Sequence, residues 1–352
     1  MDDFEVVANE IKALSQRRKQ AADSLRLLSS SSLQFDFLEQ GFSLPVVEKP
    51  FSGTIAAVDG GILGEELHAV DLFAWRSVAA VFNYSSGKLV SHDYFPSAIP
   101  PTSFKAEHSL QSHEFNWAKS LYRLNSEISC AVACCKKHSP QILFLDGSIV
   151  PQVADKPSSD STAFPLYESL LDNLFELYQH CSDNNVVLAG VIKDSRGKRF
   201  IDLLLRSLPQ LQAYSDALSR TSDTAFLSSF LTVGTRTPAF KYASNASETA
   251  VLRDLGEWGK RVASFYLRPV EYDRPLRIDF LSSSKSISSI AETIYSLSNQ
   301  NRSYGYPAVL IEADLRAAMR PEEIDHYYAR LQDRLGFDSD LFKLRRNSRP
   351  FR

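Results

Sequence analysis

The chain has 352 residues, of which 44% are hydrophobic and 23% charged, with a formal net charge of −3. That length holds one large or two ordinary domains around a sizeable core, and the near-neutral balance excludes a globally basic surface, leaving local patches for any phosphate contact. No stretch approaches the roughly 18–20 uncharged apolar residues of a membrane span. The start, Met1-Asp2-Asp3-Phe4-Glu5, has neither the basic nor the apolar region of a secretory signal, so a cytoplasmic protein without membrane contact is expected.

Apolar residues recur at Val7, Ile11 and Leu14, and later at Leu25, Leu27 and Leu28, which predicts helix over residues 4–40. This would be an arm packing on the main domain or on a second subunit. The run Ser29–Ser32 and the prolines Pro45 and Pro50 then break the pattern. Strands are expected at Thr54–Asp59, Leu72–Asn83 and Lys88–Phe95, the last two joined by Ser85-Ser86-Gly87. A long helix follows over 109–137, then a buried strand Gln141–Leu145 ending in Asp146-Gly147-Ser148. An amphipathic helix over Pro165–His180, a strand Val186–Ile192 and a helix Phe200–Leu208 come next. Three strands followed by alternating helix and strand is the element order of a ribonuclease H-like α/β fold, a mixed sheet flanked by helices.

Residues 209–260 read as a mainly helical insertion. Strands resume at Ala263–Leu267 and Leu276–Leu281, and helices at 285–299, 308–319 and 322–335. The division is therefore an N-terminal helical arm (1–50), a main domain (51–335) with its insertion, and a basic C-terminal tail (336–352). That tail carries Lys343, Arg345, Arg346, Arg349 and Arg352. Cys130, Cys134, Cys135 and Cys181 form no C-x-x-C pair and are read as small core residues.

Asp59 and Asp146 each close an apolar strand and precede glycine, an arrangement in which the chain turns and a ligand approaches closely. Two such carboxylates on neighbouring central strands repel, and a cation is the usual reason to tolerate that. Glu127 borders the apolar face of the long helix. Asp314 has Leu310, Ile311, Ala317 and Ala318 as its helical neighbours, so it is expected to face inward, either completing the acidic cluster or pairing with an arginine such as Arg268. Lys193 follows a central strand and either meets the same cleft or is a solvated lysine at the strand end. Hard oxygen ligands select magnesium or manganese, and two ions roughly 3.5–4 Å apart suit phosphodiester hydrolysis. No histidine or cysteine cluster at zinc spacing competes, and no serine sits in a G-x-S-x-G elbow.

With these residues in place, the sequence resembles the NurA nucleases. Ile55-Ala56-Ala57-Val58-Asp59-Gly60-Gly61, Leu143-Phe144-Leu145-Asp146-Gly147-Ser148 and Gly190-Val191-Ile192-Lys193-Asp194-Ser195-Arg196 look like successive motifs of that family. Phe265-Tyr266-Leu267-Arg268 and the stretch from Gly305 to Asp314 match the later ones in order. The resemblance implies a manganese- or magnesium-dependent deoxyribonuclease with 5′→3′ exonuclease and single-strand endonuclease activity. It also implies a role in DNA end resection and double-strand break repair, as a homodimer on a hexameric HerA-type ATPase. By the same resemblance Asp59, Glu127 and Asp146 are catalytic metal ligands, and Tyr266 is a catalytic aromatic beside them. The family commonly shows Ala-His where this chain has Ala313-Asp314, so Asp314 is expected to complete an all-oxygen site. Lys193, Arg196, Lys198 and Arg199, with the tail, are the candidate DNA contacts. Two other functions fit parts of the pattern: an actin- or sugar-kinase-like phosphotransferase, and a non-catalytic DNA-end adaptor.

Overall fold

The structure, a computed structural model, describes residues 2–28, 33–282, 287–336 and 338–346. In chain order it runs through α1 (Asp3–Leu27), β1 (Leu44–Pro45), β2 (Gly53–Glu66), β3 (Val70–Ser85), β4 (Lys88–Phe95) and β5 (Ser103–His108). Next come α2 (Ser112–His138), β6 (Ile142–Asp146), α3 (Phe164–Asp183), β7 (Val187–Ile192) and α4 (Arg199–Ser207). Short pieces follow: α5 (Ser215–Leu218), α6 (Asp223–Phe230), β8 (Thr235–Arg236), β9 (Phe240–Lys241) and α7 (Ala250–Asp254). The chain then forms β10 (Val262–Arg268), β11 (Leu276–Leu281), α8 (Ile287–Ser298), α9 (Ala308–Ala317) and α10 (Pro321–Leu335).

Hydrogen bonding orders one sheet as β1-β8-β10-β11-β7-β6-β2-β3-β4, with β5 joining β3 and β9 joining β10. β6 runs parallel to β2 and to β7, and the other pairs are antiparallel. The run β4-β3-β2-β6-β7 is the ribonuclease H-like arrangement. β6 and β7 are almost wholly apolar because helices cover both faces. On one face, Ala56, Val58, Leu143 and Leu145 pack with Ile128, Ala131 and Cys135 of α2 and Leu170 and Leu174 of α3. On the other, Ile55, Ala57 and Phe144 pack with Ile290 and Ile294 of α8 and Val309, Leu310 and Ala313 of α9. All four cysteines are free and buried, as small core residues should be.

Several expectations give way. The first helix stops at Leu27, because Leu33, Phe37 and Phe42 turn into a core shared with α4 and α6 instead of extending the helical stripe; Ser29–Ser32 lie outside the described residues. β5 has a mostly exposed, polar pattern, which hid it as a strand although it pairs in register with the first half of β3. The stretch 209–260 is more than a helical insertion. β8 and β9 extend the sheet through β10, and α6 delivers Phe226, Leu227 and Phe230 to the third core.

The largest correction concerns Asp59-Gly60-Gly61. β2 does not end there but pairs with β3 over its whole length, Asp59 opposite Val78, Gly60 opposite Ser77 and Gly61 opposite Arg76. These glycines serve close approach instead of a turn. A Cβ at Gly60 would lie 2.7 Å from Glu127 Cγ, and one at Gly61 would lie 2.2 Å from the Ala317 carbonyl at the end of α9. Gly147 after Asp146 does turn the chain, at φ +124°.

Gly61→Ala must therefore push α9 off the sheet. Overpacking of this kind costs about 1–3 kcal/mol, which should lower the melting temperature by on the order of 5 °C. A thermal melt indistinguishable from wild type would show that α9 does not rest on β2 in this way.

Candidate metal centre

Strand pleating and register bring the first two carboxylates together. Ile55 and Ala57 face the α9 side of the sheet, so alternation carries Asp59 to that side as well. Phe144 does the same for Asp146 on β6. Parallel pairing sets Val58 beside Leu145, and the next rung places Asp59 beside Asp146. Asp314 arrives from α9, one turn beyond the buried Leu310. One oxygen from each of Asp59, Asp146 and Asp314 lies within 4.8 Å of the others.

Glu127, expected among the metal ligands, is not part of this triad and approaches from the opposite face. It projects from α2 onto the backbone of Gly60, is buried, and is paired with Arg123 four residues earlier. Burial pushes its pKa up to about 7, with the Arg123 charge opposing the rise. Asp59 is pushed up to about 8, first by burial and then by the charges of Asp146 and Glu127, although the Gly60 N–H donates to it at 2.7 Å. These shifts have the sign of crowded negative charge.

The compensating cation is Lys193, whose ammonium lies 2.8 Å from Asp146 Oδ2 and 4.5 Å from the centre of the Tyr306 ring. Burial disfavours its charge, but the hydrogen bond and charge of Asp146, and then the charge of Asp314, outweigh that and raise its pKa. The Tyr306 hydroxyl is 2.9 Å from Asp146 Oδ1 and 3.0 Å from the Val191 carbonyl, so it can donate to either. The loop after Asp146 is anchored too. Ser148 donates to the fully buried Asp279 at 2.7 Å, and Asp279 also accepts from Ser264 and Arg277. A cleft of about 170 Å³ opens beside Asp146, lined by Arg123, Glu127, Gln152 and Asp155 among others.

Tyr266 is not part of this arrangement. On β10 it alternates onto the α4/α6 side, is fully buried, and donates its hydroxyl to Asp223 at 2.9 Å. Tyr306, which sequence reasoning passed over within a quoted motif, is the tyrosine that meets the carboxylates. Arg268 does not pair with Asp314 but donates to the carbonyls of Ser228, Leu231 and Glu271. Of the other basic candidates, Arg199 is held by Asp36 and Ser244, and Lys198 donates to the Ser219 carbonyl. Arg196 remains exposed. In the tail, Lys343 pairs with Glu65 and Asp325, and Arg346 with Glu66; Arg349 and Arg352 lie outside the described residues. Arg123 was also missed, since nothing marks an arginine on a long helix as the partner of a buried glutamate.

Three carboxylates with no imidazole or thiolate among them form a hard donor set, which fits magnesium or manganese, and their mutual repulsion is what such an ion would relieve. Fold and site together define a ribonuclease H-like protein with an acidic candidate metal centre. The chain belongs to the NurA family: the model of the NurA domain matches residues 53–319. Among solved structures it is similar to the NurA nuclease from Sulfolobus solfataricus, at 17% identity and TM-score 0.60, covering 96% of this chain and 100% of that one. A second NurA structure matches at 10% identity and TM-score 0.55, covering 97% and 99%. A third, of NurA bound to dAMP and manganese, matches at 11% identity and TM-score 0.50, covering 85% and 91%. No curated protein matches the chain.

A carboxyl raised from its ordinary 3.8 to about 8 costs stability once pH exceeds the unfolded value, and the cost is complete above the folded one. Asp59→Asn removes that cost and keeps an acceptor for the Gly60 N–H. In EDTA, its melting-temperature advantage over wild type should grow from nearly nothing around pH 4 to several degrees by about pH 9. An advantage that stayed flat across this window would mean that burial and the neighbouring charges do not raise Asp59 as described.

Proposed function

We propose that this chain is a divalent-metal-dependent DNA nuclease that hydrolyses phosphodiesters at Asp59, Asp146 and Asp314. The observation that carries this reading is the convergence of three carboxylate oxygens within 4.8 Å, beside a lysine and inside a family of nucleases. Bound manganese or magnesium, two ions in this reading, would supply an activated water and Lewis acidity at the leaving oxygen. The chain's own residues do the rest. The carboxylates fix the donor geometry, and Tyr306 restrains Asp146 through its hydroxyl. Lys193 holds a positive charge where a phosphate oxygen would gain negative charge. Glu127, with a pKa pushed up to about 7, can hold or release a proton at neutral pH and suits a proton-relay role.

The finer proposal is a 5′→3′ exonuclease and single-strand endonuclease acting in DNA end resection and break repair with a HerA-type ATPase. The NurA structure with dAMP and manganese supports a deoxynucleotide and that metal as ligands of the family's site. The first half of α1 supports a homodimer: Phe4, Val7 and Ile11 are exposed, while Ala21, Ala22 and Leu25 in the second half are buried. Among the described residues no helix is long and apolar enough to cross a membrane. We place the protein in the cytoplasm.

Asp59→Ala and Asp146→Ala should each reduce manganese-dependent loss of a labelled single-stranded oligonucleotide by at least about 1,000-fold, with folding retained. Full activity in either variant would remove the cluster from the chemistry, and an inert wild type would favour the DNA-end adaptor. Asp314→His introduces an imidazole, which suits transition metals, so metal titrations should shift toward manganese over magnesium. If wild type, Asp314→His and Asp314→Ala gave superimposable titrations and differed only in stability, Asp314 would be structural.

A further inference from the structure

Two exposed tyrosines, one of them close to the carboxylates, have no role in the site as described. Tyr304 lies in the loop before α9, and Tyr272 in the loop between β10 and β11; they are 43% and 66% exposed. An aromatic ring open to water is a surface on which an unpaired base can stack. The two loops are laced together. The Tyr272 N–H donates to the Arg302 carbonyl at 3.0 Å, and the Gly305 N–H donates to the Asp273 carboxylate at 2.9 Å. The Arg302 guanidinium lies 5.7 Å from the Tyr272 ring centre and pairs with Glu271 at 2.6 Å. Both rings are thus presented on a braced backbone.

Tyr304 is also next to the chemistry. Its ring centre is 6.1 Å from that of Tyr306, whose hydroxyl reaches Asp146. Burial raises the pKa of its hydroxyl, and Lys193, which opposes the rise, Asp314 and Asp146 are the charges that act on it most strongly. Arg274, from the same loop as Tyr272, lines an open cleft of about 500 Å³ with Ser195 and Arg196 among others. Arg274 pairs with Asp194, and Arg196 is exposed without an ion pair among the described residues.

We propose that Tyr304 stacks on the unpaired base next to the phosphate held at the carboxylates, and that Tyr272 takes a base farther along the strand, with Arg196 on the backbone between. Stacking on aromatic rings is tolerant of base identity because every base has a π-face, and it requires that the base be unpaired. A surface of this kind would favour single strands over duplex without reading sequence. The inference rests on the nuclease reading of the same site.

The test uses the full chain with manganese and a labelled oligo(dT), followed by cleavage kinetics and by fluorescence anisotropy in EDTA. Tyr304→Ala should raise KM roughly tenfold, with a smaller change in kcat and an unchanged melting temperature, and Tyr272→Ala should have a weaker effect of the same kind. Tyr304→Phe and Tyr304→Trp should stay close to wild type, and the added indole should be quenched when the oligonucleotide binds. Replacing the bases with abasic sites should abolish the difference between wild type and Tyr304→Ala. Wild type that cuts oligo(dT) while Tyr304→Ala keeps its KM overturns the stacking surface. Tyr304→Phe as defective as Tyr304→Ala does so too, since the hydroxyl would then be the active part. Wild type that binds in anisotropy, with the expected Tyr304→Ala weakening, but never cuts would sink the nuclease reading and leave the stacking surface standing.

Discussion

The constraint on which the rest depends is that β2 and β6 pair in parallel with Val58 beside Leu145, so that two carboxylates are forced onto one rung and one face. Backbone hydrogen bonds set that register, and no rotamer choice moves the charges far apart. Everything nearby answers the resulting repulsion. Lys193 sits at the end of β7, the strand on the other side of β6, and bonds Asp146 directly. Tyr306 offers a hydroxyl to the same carboxylate, and Gly60 its N–H to the other. These contacts lessen the strain without removing it, since burial and then the charges of Asp146 and Glu127 still push Asp59 up to about 8. A protein that needed only stability would do better with one apolar side chain at that rung. Retaining both acids is an argument for a cation.

The same register explains why the glycines are where they are. Asp59 must be delivered to the α9 side, which leaves the next residue facing α2. Gly60 there lets Glu127 lie against the strand, and Gly61 lets the last turn of α9 close down on β2. Arg76, opposite Gly61, completes the join by donating to the Ala317 carbonyl and pairing with Glu323 of α10. The Asp-Gly-Gly run is therefore a contact device within a long strand, although in sequence it reads as a turn.

That misreading shows where the sequence is informative. The order of the main strands and helices was legible, and Asp59, Asp146 and Lys193 could be singled out, because buried parallel strands are short, apolar and sharply bounded. The acids that end those apolar runs stand out against them. What failed was local composition without a third dimension. Gly60 and Gly61 carry the signature of a turn, and only the partner strand shows that they are paired. Tyr266 and Tyr306 are both tyrosines inside quoted motifs, and both are buried. The face each presents depends on the pairing of β10 and on the docking of α9, which no spacing reveals. Arg199 looked like a surface cation, yet Asp36, far away in sequence, claims it. Asp314 was read as inward-facing from its apolar neighbours. It does reach the cluster, but from a less buried position than Asp59.

Asp314 also sharpens the chemistry of the site. Asp59 and Asp146 come from rigid central strands and are fixed by pairing, whereas Asp314 rides on a ten-residue helix held by Gly61 and Arg76. In the proposed site, a third oxygen donor on such a helix would adjust to an ion without disturbing the sheet. An imidazole at that position would bring a softer, directional nitrogen and bias the centre toward manganese. With three oxygens the protein donor set itself does little to separate magnesium from manganese. Discrimination then falls to geometry, because magnesium demands near-ideal octahedral coordination and gives up its waters reluctantly. In the proposed site, Asp314 is accordingly the residue through which metal preference would change while the two strand aspartates, and the fold that holds them, stay as they are.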